Sequence, residues 1–141
     1  MFKKVMLPVD LSEPDSWTHS LPAAIEQVRL SGGELHLVTV APGVSSRIAA
    51  FFPPDAGREI IARTMEELHQ FAVRNVPAEI RVHEMVLQGG VHHELLAAAE
   101  KIDADLIVMG SHRPAMSDYL LGANAAHVVR HTPRSVLIVR N

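Results

Sequence analysis

The chain contains no cysteine. That excludes disulfide staples, thiolate-held zinc and thiol nucleophiles, and it fits a reducing compartment. Basic charge is not in excess either. Thirteen Lys and Arg stand against 16 Asp and Glu, a net of −3 with His neutral, so no positive field argues for a nucleic-acid partner. Long apolar runs are also missing. The stretch behind Lys3 and Lys4 ends at Asp10, too short for a signal peptide or a membrane span. These absences predict a soluble, cytoplasmic protein with neither a membrane nor a nucleic acid as partner. Three motifs are absent too: GxGxxG after the first strand, GxxxxGK[ST], and GxSxG. The usual dinucleotide fingerprint, the P-loop and the hydrolase elbow go with them. No nucleophile–base–orienter set emerges, and no catalytic residue is assigned.

What is present is a regular alternation. The 141 residues suit one domain spanning 1–141, which buries roughly 70% of its unfolded surface and needs no metal to fold. Apolar runs predict strands over 2–9, 34–40, 79–87, 104–109 and 135–140. Between them, helical periodicity predicts helices over about 15–30, 55–75, 91–102 and 123–131. Pro14 reads as the start of the first helix, Leu21, Ala24, Ile25, Val28 and Leu30 as its apolar face, and Gly32-Gly33 as its end. Ile60, Ile61, Met65, Leu68 and Phe71 read as the inner face of the second. The stretch 41–54, with Phe51-Phe52, reads as a long loop or lid, its two aromatics packing on the domain itself or on a second subunit. Strands alternating with helices imply a five-stranded parallel sheet covered on both faces, an α/β architecture.

In such a sheet, ligands bind beyond the carboxyl ends of the strands, where strand order reverses. Three strand ends matter: Pro8-Val9-Asp10, Val40-Ala41 and Met109-Gly110. Asp10 is placed to take a ribose hydroxyl or a metal near phosphates, or else to cap the helix that follows. Gly110 lets a ligand approach the backbone, and Gly122 opens a helix whose first N–H groups suit an anion. Between and beside them, Arg113 and Asn124 are placed to contact phosphate, and His112 to contact ligand or simply to cap the strand; the alternative is an ordinary loop with a glycine at each end. Leu120-Leu121 anchors the loop into the core. Nine histidines invite a metal reading. His127 and His131 share a helix face, but without the HExxH pattern or a local carboxylate, a solvated face is the better reading.

Several segments together resemble the universal stress protein family over essentially the whole chain. They are Lys4-Val-Met-Leu-Pro-Val-Asp10, Ala104-Asp-Leu-Ile-Val-Met-Gly-Ser-His112, Leu120-Leu-Gly-Ala-Asn-Ala-Ala-His-Val-Val-Arg-His131 and Ser135-Val-Leu-Ile-Val-Arg140. The Leu-Leu-Gly-x-Asn-Ala-Ala segment is most similar to the bacterial F/G branch. The resemblance implies a Rossmann-like fold of the adenine-nucleotide α-hydrolase type, and a homodimer paired through residues 135–140, open to higher oligomers. It implies an adenine-nucleotide partner, ATP with Mg2+, in a stress-response regulator. Carried over, Pro8, Val9 and Val40 match the adenine pocket, beside Met109, and Asp10 matches the ribose- or metal-side aspartate. Gly110 and Gly122 match the first and third glycines of the family's phosphate loop. Arg113 falls where the second glycine belongs, and Ala123 where a hydroxyl residue belongs. Two alternatives stand beside the regulator: a nucleotide-free dimeric scaffold, and a slow ATPase or self-phosphorylating protein with Ser111 or Ser117 as acceptor.

Overall fold

The computed structural model describes residues 1–42, 51, 53–111 and 121–140. The apolar runs form strands β1 (Lys4–Pro8), β2 (Glu34–Ala41), β3 (Val82–Gln88), β4 (Leu106–Gly110) and β5 (Ser135–Val139). Helices α1 (Ser20–Ser31), α2 (Ala56–Asn75), α3 (Val91–Ile102) and α4 (Ala123–His131) alternate with them. All four strand pairings are parallel, in the order β3-β2-β1-β4-β5. A parallel neighbour can be reached only by a crossover, and each helix supplies one. The chain moves outward from β1 through β2 to β3, then returns past β1 to lay down β4 and β5. Strand order therefore reverses between β1 and β4.

Side chains alternate across the sheet. Val5, Leu7, Leu35, Leu37 and Val108 pack against α1 and α2, while Met6, Val38, Ile107 and Met109 pack against α3 and α4. Because both faces are covered, consecutive residues Val5, Met6 and Leu7 are all fully buried, which is why these strands read as unbroken apolar runs. This is the α/β, Rossmann-like sheet that the alternation predicts.

The boundaries differ from the sequence expectation at two prolines. Pro14 opens a 3-10 turn, Pro14–Ser16, and α1 begins only at Ser20. That start places Pro22 in the first helical turn, where a missing N–H is harmless; a helix from residue 15 would have buried it mid-helix. Leu30 is exposed rather than part of the inner face. Further on, Ile80 N–H donates to the carbonyl of Pro77 at 3.0 Å, and this turn delays β3 to Val82. On α2 the buried residues are Thr64, Leu68, Phe71 and Ala72, with Met65 turned outward. Thr64 is accommodated because its hydroxyl donates to the carbonyl of Ile60 at 2.8 Å. Trp17, just past the 3-10 turn, meets Phe71 of α2 edge-on with ring centroids 4.8 Å apart.

Two glycines are required by the backbone here. Gly32 closes α1 with φ +68, the left-handed cap that glycine adopts without strain. At Gly33 a Cβ would lie 2.2 Å from the carbonyl oxygen of Lys3, so no larger residue fits where β2 starts beside β1.

The α3/α4 face is not apolar along its whole length. At the amino ends of β2 and β3 it carries Glu34, His36 and His83, with His36 and His83 exact register partners. The Glu34 carboxylate lies 2.9 Å from His36 Nε2 and 3.3 Å from His83 Nε2. The His36 contact holds the Glu34 carboxyl below its usual range. Burial holds His36 below its own, against the pull of Glu34. Among the described residues no helix is long and apolar enough to cross a membrane.

Candidate functional site

The reversal between β1 and β4 opens a cleft of about 500 Å³ at the carboxyl ends of the strands. Its floor is apolar: Val38 is fully buried and Met109 nearly so, with Val40 beside them. Pro8, Val9 and Asp10 form the β1 side, Gly110 the end of β4, and Gly122, Ala123 and Asn124 the start of α4. Nine of the eleven residues singled out in the sequence thus line one cavity. The other two, His112 and Arg113, lie outside the described residues, as do Ser117, Leu120, Phe52 and 43–50 of the expected lid. Phe51 is exposed and does not pack on its own domain among the described residues.

Asp10 is not a helix cap. Its Oδ1 accepts from the backbone N–H of Ser12 at 3.0 Å and from the Ser12 hydroxyl at 2.6 Å, an Asx turn. Its own N–H donates to Ser16 Oγ at 3.0 Å. The residues preceding the 3-10 turn and α1 are Glu13 and His19, neither bonded through its side chain to the helix start. The turn fixes an exposed carboxylate at the rim of the cleft.

Gly110 has a structural reason of its own. A Cβ there would lie 3.2 Å from the Ser16 carbonyl oxygen, because the end of β4 passes tightly beside the 3-10 turn. Glu13 just before that turn, Ser16 within it, and Val91 and Leu95 of α3 also line the cleft. Sequence reading missed all four. The turn was merged into a helix, and the approach of α3 is a tertiary event with no local signal.

Two helix starts converge on this cavity. Gly90 precedes α3 and Gly122 precedes α4, and neither helix has a side-chain cap. Both N-cap residues are glycines, so no N-cap side chain bonds the leading backbone N–H groups, which carry the positive end of each helix dipole. An apolar floor, a fixed carboxylate and two uncapped helix starts suit a ligand that is flat and apolar at one end and anionic at the other.

The histidines of α4 lie on a largely solvated face, with His131 exposed and His127 half-buried, and their rings are packed together. His92 of α3 stacks on His127 with ring centroids 3.9 Å apart, and His127 meets His131 at 4.2 Å. Burial in this row, then the charges of His92, His131 and Arg130, hold His127 below the ordinary histidine value.

The universal stress protein family model matches residues 1–140. The chain belongs to the universal stress protein family. It is 35% identical over 145 aligned positions to Universal stress protein G of Shigella flexneri, covering 99% of this chain and 100% of that protein. A universal stress protein of Methanocaldococcus jannaschii is 29% identical over 99% of this chain and 83% of its own length. Among solved structures, a universal stress protein in complex with cAMP superposes with a TM-score of 0.67 at 22% identity, covering 99% of this chain and 97% of that one. An Archaeoglobus fulgidus universal stress protein in complex with dAMP superposes with a TM-score of 0.62 at 18% identity, over 99% and 98%. At these identities the likeness carries the fold, and the fold is that of the family.

Proposed function

We propose that the cleft binds an adenine nucleotide, ATP with Mg2+ in its complete form, and that the protein is a cytoplasmic, nucleotide-responsive stress regulator with no catalytic residue. The observation that carries this reading is the convergence of two uncapped helix starts on an apolar-floored cavity at the β1/β4 reversal. Universal stress proteins of the same fold form complexes with cAMP and dAMP. In this reading Val38, Val40 and Met109 enclose the base, and Pro8 and Val9 edge it. Asp10 takes a ribose hydroxyl or the Mg2+. Gly110, Gly122, Ala123 and Asn124 surround the phosphates, with His112 and Arg113 on the loop between. Bound nucleotide supplies the signal; the chain's own residues hold and orient it.

Titration calorimetry with ATP and Mg2+ tests the reading. One nucleotide per chain and a raised melting temperature are expected. No heat and no thermal shift at millimolar nucleotide would overturn it in favour of a nucleotide-free scaffold.

The same reading includes a single domain over 1–141 and a homodimer. β5 is an edge strand of the sheet, and Val136 to Val139 are only partly buried. Such an edge invites pairing with a second copy. Sedimentation should give a dimer for the parent chain and a monomer for Val136→Pro, which removes a backbone donor from that strand.

A further inference from the structure

The histidine–carboxylate cluster at the opposite end of the sheet has no part in the cleft. Glu34 and His36 are two apart on β2, so both project from the α3/α4 face. The parallel register of β2 and β3 sets His83 directly beside His36. Their rings lie nearly parallel, with centroids 4.6 Å apart and planes 14° apart. Both Nε2 atoms turn toward the Glu34 carboxylate, one to each oxygen. One donor atom from each of the three side chains lies within 4.8 Å of the other two.

We infer that Glu34, His36 and His83 form a binding site for a transition-metal dication of the Zn2+ type, with two imidazole nitrogens and one carboxylate oxygen as ligands and water completing the shell. The donor set decides the class of ion. Two imidazoles and one carboxylate suit Zn2+, Ni2+ or Cu2+, whereas Mg2+ and Ca2+ seek oxygen throughout. Zinc bonds to nitrogen and carboxylate oxygen are about 2.0–2.2 Å long, so the three donors must draw together modestly from their present spread. His83 can make that adjustment: its side chain is 51% exposed and lies on the edge strand β3. His36, at 13% exposure, and Glu34, at 21%, are held by the sheet and form the fixed part of the site. Arg81, whose Nη1 lies 3.8 Å from Glu34 Oε2 with its side chain 76% exposed, is the cation the metal displaces. The exposed side of the cluster leaves room for the water ligand.

The experiment is calorimetric titration of the untagged full chain with Zn2+, repeated on His36→Gln, His83→Gln and His127→Gln. The last variant controls for the second histidine cluster, between α3 and α4. One Zn2+ per chain is expected, with binding weakened at least tenfold by His36→Gln and by His83→Gln and unchanged by His127→Gln. His83→Gln changes an exposed residue, so its result stands even where His36→Gln proves unstable. Co2+ in place of Zn2+ should give visible d–d absorption that His83→Gln removes. Absence of Zn2+ binding to the parent chain, or binding that survives His83→Gln, overturns the inference.

Discussion

The Cβ position of Gly110 faces the carbonyl oxygen of Ser16 at 3.2 Å. Glycine at this position thus also relieves a tight approach between β4 and the 3-10 turn. Gly110→Ala should push the turn away and destabilise the fold by about 1–3 kcal/mol, the usual range for overpacking. Urea denaturation measures this. The loss should appear in the protein without ligand; if stability is unchanged, the glycine serves the ligand alone.

Ala123 begins α4, is exposed, and lines the cleft. Ala123→Ser places there the hydroxyl that the family pattern calls for. One added neutral hydrogen bond contributes about 1 kcal/mol, or roughly fivefold tighter ATP binding. Calorimetry against the parent chain checks it, with the melting temperature of the free protein little changed.

Asp10→Asn keeps an oxygen to accept from Ser12 but removes the charge. Folding stability should stay within about 0.5 kcal/mol, since the Asx turn survives. Nucleotide affinity measured with Mg2+ and with a chelator should separate the roles. In Asp10→Asn the advantage conferred by Mg2+ should shrink or vanish. An undiminished Mg2+ effect would assign Asp10 to the turn alone.

His127 supplies a pH dependence. Its value in the folded chain is lowered from 6.5, so the unfolded chain binds the proton first as pH falls. Stability from this group is therefore present above the unfolded value and lost as pH drops below it. His36 is shifted in the same direction by burial, and adds to the loss. Glu34 and Glu79, lowered from 4.5 by His36 and Arg29 respectively, act only at more acid pH. A melting-temperature series from about pH 8 to about pH 5 should fall through this window. His127→Gln should flatten the fall, His36 leaving a remainder.

The sheet was legible because burial on both faces writes each strand as an unbroken apolar run, as at Val5-Met6-Leu7. Boundaries failed where a proline had two readings: Pro14 looks like a helix start, yet Pro22 decides where α1 begins. The cleft was legible at Asp10, Gly110 and Gly122, since strand ends at a reversal are fixed by topology. Glu13, Ser16, Val91 and Leu95 were not, because a 3-10 turn and a neighbouring helix reach the cavity through tertiary packing. The histidines divide in the same way. Helical spacing joins His127 to His131, but only packing brings His92 to them, and only strand register brings His83 to His36.

Trp17 is the chain's single tryptophan, and its ring is set edge-on against Phe71, one residue after the turn that carries Ser16. The protein therefore carries its own fluorophore one residue beyond the cleft-lining Ser16. Intrinsic emission can follow the arrival of a ligand, and the movement of that turn against α2, without a label and in real time.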